Sequence, residues 1–177
     1  MSSEVRAGGR WTRETLLAFL EARAIRYEEA VHPAVFTMAE SGALSLSLPG
    51  CRCKNLLVQN KKGTAHYLVV TSPDAAVDLA ALGRLLGCGR LSLCPVPDMV
   101  DLLGVESGAM SPFALVADRE AQRVRLVLDE SLASVDCFQF HPLVNTATVA
   151  IEREAFAQFL AVVGHTLDFQ EVPRRSV

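Results

Sequence analysis

At 177 residues and 19.1 kDa, the chain can bury one core and is short for two domains. Half of its residues are hydrophobic and 21% are charged, which excludes disorder as the main state. A formal charge of −3, from 17 basic and 20 acidic side chains, excludes a uniformly basic nucleic-acid coat.

In chain order, Met1 to Trp11 has no apolar signal core, so the cytoplasm is the expected compartment. Residues 1–11 and 173–177 read as loose ends of a single domain over 1–177. Thr12 is placed to cap a helix running to about Ala24, with Leu16, Leu17, Phe19 and Leu20 facing inward. A short strand over Arg26 to Val31 and a short helix over Phe36 to Ala43 follow. Ser45 to Cys51 reads as loop. Lys54 to Gln59 and Tyr67 to Thr71 form a hairpin around Asn60-Lys61-Lys62-Gly63, apolar enough to be buried on both faces. Asp78 to Leu86 is a helix closed by Gly87. Leu91 to Cys94 is a strand, and Pro97 to Leu103 a short helix. Phe113 to Ala117 and Val124 to Leu128 read as a second hairpin. Phe138 to His141 and Thr146 to Ile151 are strands, Glu154 to Val163 a helix, and Leu167 to Val172 an edge strand. The pattern has no strict βαβ rhythm. It predicts an α+β fold, a central mixed or antiparallel sheet with helices packed around it.

Several chemistries are not visible. The chain has no G-x-G-x-x-G, Walker loop, H-E-x-x-H or G-x-S-x-G. Five cysteines match no paired zinc spacing, although Cys51-Arg52-Cys53 leaves a thiol or soft-metal reading open. No apolar run approaches the roughly 20 residues of a membrane helix. Charge is uneven: residues 1–62 carry 9 basic and 6 acidic side chains, and all three lysines (Lys54, Lys61, Lys62) fall in one stretch. Such a bias can steer a polyanion without a basic chain.

Three polar groups sit at the ends of apolar strands. They are Lys54-Asn55, the loop Gly108-Ala109-Met110-Ser111-Pro112, and the corner Phe140-His141-Pro142-Leu143-Val144-Asn145-Thr146-Ala147-Thr148. Each alone has an ordinary structural account. Together with His32 to Thr37, Asp78-Leu79 and Gly164-His165, and in the same order, they resemble the YbaK/ProX family of aminoacyl-tRNA editing domains. The resemblance spans about residues 12 to 172 and is nearest to the freestanding ProX-type members. Departures include Cys53, Leu57, Met110 and Val144, of which Met110 and Cys53 bear on specificity.

The resemblance implies a cytoplasmic trans-editing hydrolase that cleaves the ester of mischarged tRNA(Pro), Ala-tRNA(Pro) foremost, and spares Pro-tRNA(Pro). It implies no cofactor and no metal. Its partners would be tRNA(Pro) and, by extension, prolyl-tRNA synthetase, with no role for DNA. Lys54, Asn55, Gly108 and His141 would carry the chemistry. Phe36, Met38, Ser111, Pro112, Asn145 and Thr146 would bind the substrate, and Arg52, Lys61 and Lys62 would hold the acceptor stem. An aminoacyl ester is already activated, so orienting a water or the ribose hydroxyl and stabilising the oxyanion suffice. Two alternatives stand beside this reading: a non-catalytic tRNA- or synthetase-binding module, and a deacylase for cysteine, serine or threonine.

Overall fold

The computed structural model describes residues 9–43 and 47–176. The expected loop over Ser45 to Cys51 and the loose ends fall partly outside the described residues, at 45–46, 1–8 and 177.

Helix α1 (Arg13–Ala22) starts where the sequence places its cap. The Thr12 hydroxyl accepts from the Thr15 amide, and the Thr15 hydroxyl accepts from the Thr12 amide. This reciprocal pair satisfies two otherwise orphaned donors. Leu16, Phe19 and Leu20 are buried beneath it. Strand β1 (Glu28–Val31), helix α2 (Met38–Ala43) and a two-residue strand β2 (Cys51–Arg52) follow. Strands β3 (Lys54–Asn60) and β4 (His66–Thr71) form the expected hairpin, with Lys54 opposite Thr71 and Gln59 opposite His66. The Asn60 side chain closes the turn by accepting from the Thr64 and Ala65 amides. Helix α3 (Leu79–Leu85) is capped by Asp78. Strand β5 (Leu91–Leu93) and helix α4 (Val96–Leu103), which ends at left-handed Gly104, complete the first half.

The second half contains β6 (Val124–Asp129), β7 (Cys137–Phe140), β8 (Ala147–Glu152), α5 (Arg153–Val162) and β9 (Phe169–Gln170). The strands form two sheets, not one: β1-β8-β7-β2 and β5-β3-β4-β6-β9. Both are mixed. In the first, β2 joins β7 in parallel, and in the second β4–β6 and β6–β9 are parallel. The α+β class holds, with helices outside.

Two expectations are corrected. The predicted strand Phe113 to Ala117 is part of a 3₁₀ helix, Pro112–Asp118, begun by the Ser111 hydroxyl accepting from the Phe113 amide. Its residues 112–116 are all buried, so the apolar run carries no period to separate strand from helix. Strand β6 therefore has no hairpin partner there and pairs with β4. The final edge strand shrinks to β9. Beyond β9, the Pro173 carbonyl accepts from the Asp78 amide, the Arg175 amide donates to the Ala76 carbonyl, and Arg174 meets the buried carboxylate of Asp129 at 2.7 Å.

The two sheets share a core of aromatic rings. Phe156 on α5 packs 5.2 Å from Phe138 and 5.1 Å from Phe140, and Phe113 lies 5.8 Å from Phe140 and 5.2 Å from Phe159. All five are fully buried. Edge-to-face and tilted contacts of this kind add to simple area burial. Because Phe156 ties α5 to the first sheet, Phe156→Ala is expected to lower stability by about 3–5 kcal/mol. Urea unfolding followed by circular dichroism measures this, and a loss under about 1 kcal/mol would show that the ring is not the anchor described.

Candidate active site

The chain leaves the first sheet at Arg52 and enters the second at Lys54, with Cys53 alone between. Gly50 turns the chain into β2 at φ +102°, where a Cβ would lie 2.9 Å from the Cys137 carbonyl oxygen, so only glycine fits. A cavity of about 210 Å³ opens at this seam. Lys54, Asn55 and Leu56 line it from one sheet, and Gln139, Phe140, His141 and Thr148 from the other. Ser107, Gly108 and Met110 close one side, and Val35 to Met38 close another.

Lys54 is half-buried, and its Nζ donates to the Ala75 carbonyl at 2.8 Å. That bond uses one of three ammonium donors and leaves two for an anionic or carbonyl oxygen. Asn55 follows on the same strand, and its Oδ1 is buried without a partner. Such an acceptor costs roughly 1–3 kcal/mol unless a donor reaches it.

His141 faces the cavity from the end of β7. Its Nδ1 lies 2.8 Å from the Ala147 carbonyl. A carbonyl only accepts, so Nδ1 carries the proton and the neutral ring keeps a lone pair on Nε2. Burial pushes the His141 pKa below the ordinary histidine value, and the neighbouring His32 adds to that, while the Ala147 bond opposes it. His32 sits with its ring centroid 6.0 Å away. By the same logic His32 Nδ1 donates to the Pro33 carbonyl, and its Nε2 accepts from the Thr148 hydroxyl, both at 2.8 Å. Thr148 thus has its proton directed away from the cavity it lines.

The loop and corner elements act mainly as supports. Ser111 is fully buried and donates to the His141 carbonyl at 2.7 Å. Pro112 starts the 3₁₀ helix beneath it. Asn145 donates through Nδ2 to the Val35 carbonyl at 2.9 Å and accepts from the Val35 amide at its own carbonyl. Thr146 is exposed, and its carbonyl accepts from the His32 amide. None of these four lines the cavity, so each positions a wall. Met110 is 2% exposed and forms part of the cavity surface.

At the mouth, the Glu40 carboxylate accepts from the Phe36 and Thr37 amides at 2.7 and 2.9 Å. Those two amides hold its pKa below the usual carboxylate range. Arg52 donates to the Met38 carbonyl at 3.2 Å. Phe36 is 72% exposed, so it borders the opening and is no interior wall.

The proposed tRNA-binding trio is divided. Arg52 lines the cavity, but Lys61 and Lys62 lie in the turn at the other end of β3. Six strand steps separate Lys54 from that turn, about 20 Å. There they share a groove with Asp98, Asp101 and Arg123. Cys53 is buried, and desolvation pushes its thiol up to about 12, so it stays protonated and unsuited to redox or metal work. Thr148 and Gln139 are lining residues that the sequence pattern did not assign to the site, and Cys53, expected to bear on specificity, lines it too. The signal for Thr148 was its place in the same strand–loop–strand corner as His141.

The model of the aminoacyl-tRNA editing domain matches residues 32–159. The chain is 30% identical over 154 residues to the prolyl-tRNA editing protein ProX of Acetoanaerobium sticklandii, covering 87% of this chain and 93% of that one. It is 35% identical over 157 residues to prolyl-tRNA synthetase associated domain-containing protein 1 of Xenopus laevis, covering 86% and 92%. A crystal structure described as a candidate trans-editing enzyme for prolyl tRNA synthetase superposes with a TM-score of 0.65 at 19% identity, over 95% of this chain and all of the other. The chain therefore belongs to the aminoacyl-tRNA editing family and is an aminoacyl-tRNA deacylase.

Proposed function

We propose that the enzyme clears mischarged tRNA(Pro), with Ala-tRNA(Pro) as its main substrate and Pro-tRNA(Pro) spared. The observation that carries this reading is the half-buried Lys54 ammonium, with two donors to spare, in a cavity of amino-acid size that Asn55 and His141 also line. An aminoacyl ester offers the complementary groups, a protonated amine or ribose hydroxyl for Asn55 and a carbonyl oxygen for Lys54. The names of two relatives, each containing prolyl-tRNA, support tRNA(Pro) as the carrier.

In this mechanism water adds to the ester carbonyl carbon and a tetrahedral oxyanion forms. The bond from that carbon to the ribose oxygen then breaks, and the ribose oxygen takes a proton, giving free amino acid and tRNA. Lys54 stabilises the oxyanion, where a fixed charge in a half-dry site acts most strongly. Asn55 orients the ester. His141 Nε2 accepts a hydrogen bond from the attacking water or the ribose hydroxyl. Gly108 lets the 107–110 loop approach closely without a side chain in the way. Arg52 meets the backbone phosphate nearest the terminal nucleoside. Lys61 and Lys62, at the far turn, would reach only the acceptor stem.

Size discrimination falls to Met110, with Met38 on another side of the same cavity. A synthetase pocket built for proline rejects a smaller side chain weakly, since one methylene is worth about 1–3 kcal/mol. A second site too tight for the proline ring completes the sorting. In a folded variant confirmed by thermal melting, Met110→Ala is expected to raise hydrolysis of Pro-tRNA(Pro) relative to Ala-tRNA(Pro) by about tenfold or more. An unchanged ratio would remove Met110 from the sieve.

Single-turnover deacylation of alanyl-, cysteinyl-, seryl- and prolyl-tRNA(Pro) tests the reaction directly. Alanine should be lost fastest, and Lys54→Ala should slow that loss by about a hundred- to a thousandfold. Faster loss of cysteine or serine would move the specificity, and full activity in Lys54→Ala would sink the proposed role. The pH dependence has a definite sign. Protonation of His141 turns Nε2 from acceptor to donor, so activity falls as pH drops through its pKa. Because burial and His32 depress that pKa, the acid limb of kcat/KM should inflect below about 6.5. An inflection above that value, or the same limb in His141→Gln, would exclude this role.

A further inference from the structure

The cavity is smaller than the ligand it would serve. Its volume of about 210 Å³ lies under the roughly 300–1,000 Å³ of pockets that enclose a drug-sized ligand. An aminoacyl-adenosine, the end of every charged tRNA, is a ligand of that size. With the ester seated against Lys54, Asn55 and His141, the purine base must lie outside, across the mouth.

Phe36 stands at that mouth. It is 72% exposed, borders the cavity and takes no part in the buried core. A single exposed ring is ordinary on a protein surface, but one that also lines a cavity has an open π-face available to the part of a ligand that projects from it. Its main chain is fixed from both sides. The Phe36 and Thr37 amides donate to one Glu40 oxygen, the Glu40 amide donates to the Thr37 hydroxyl at 3.1 Å, and the preceding Val35 carbonyl is held by Asn145. Arg52 anchors the next turn through the Met38 carbonyl. The ring is therefore presented from rigid backbone at little ordering cost on binding.

We propose that Phe36 is the stacking platform for the terminal purine base of the aminoacyl-tRNA. This rests on the assignment of the aminoacyl ester to the cavity. Stacking uses the π-face that every base has, and it demands an aromatic partner where mere packing does not. The Phe36 platform fixes the base, and the ribose and ester follow into the seam.

The test measures deacylation of alanyl-tRNA(Pro) by wild type, Phe36→Ala, Phe36→Leu and Phe36→Tyr, on intact substrate and on substrate whose terminal nucleotide lacks its base. Phe36→Ala should raise KM on intact substrate by about ten- to a hundredfold with kcat little changed. Phe36→Leu should fail similarly, and Phe36→Tyr should behave as wild type. On the base-less substrate the Ala variant should match wild type. Leu as good as Phe, or an equal loss on both substrates, would overturn the proposal. A parallel arm measures binding of a non-hydrolysable alanylamino-adenosine to wild type and Phe36→Ala. If wild type hydrolyses the ester but neither KM nor binding depends on Phe36, stacking falls and the editing reaction stands. If binding depends on Phe36 without hydrolysis, stacking stands and the reaction falls.

Discussion

The architecture turns on one residue that bridges two sheets. Between Arg52, paired with Gln139 in the first sheet, and Lys54, paired with Thr71 in the second, there is only Cys53. One residue cannot span a loop, so the sheets are forced to meet at this point. Their side chains converge on the gap that remains. The buried thiol fills the crossing as a small apolar group, in keeping with its raised pKa. The cavity is thus a seam between rigid elements, and its geometry inherits the rigidity of both sheets.

Within the seam, the polar groups are tied to the main chain before any ligand arrives. Lys54 is held by Ala75, His141 by Ala147, His32 by Pro33 and Asn145 by Val35. Each bond fixes a rotamer and, for the histidines, a tautomer. The site therefore carries little reorganisation cost during reaction, which is where electrostatic catalysis gains most. Among the described residues, Asn55 Oδ1 and His165 Nε2 are the two buried side-chain atoms left without a partner, and Asn55 faces the cavity.

Much of the fold was legible because local signals agreed. The Thr12 cap, the Asn60 turn, the Asp78 cap and left-handed Gly104 each mark an element boundary by chemistry that needs no tertiary context. Pairing was not legible. Whether β6 joins β4 or a neighbour, and that two-residue β2 exists at all, depends on contacts far along the chain. The 3₁₀ helix at Pro112–Asp118 read as strand because burial on all sides erases periodicity, although Ser111-Pro112 was a start signal. In the site, Lys54, Asn55 and His141 line one cavity, whereas Lys61 and Lys62, close to Lys54 in sequence, lie at the far turn. A strand carries near neighbours in sequence to opposite ends of the molecule. Thr148 was missed because its hydroxyl matters only through His32, which approaches from the other end of the chain.

The pairing of β2 with β7 and of β1 with β8 also sets when the seam can exist. Cys51 waits for Phe138, and Glu28 waits for Ala150. Such distant partners raise the contact order and slow the search for the native topology. During synthesis, Lys54 and Asn55 can stand on a formed hairpin while their opposite wall is still untranslated. No N-terminal portion ending before β7 can hold the cavity. Pocket assembly is thus a late event, completed together with closure of the first sheet.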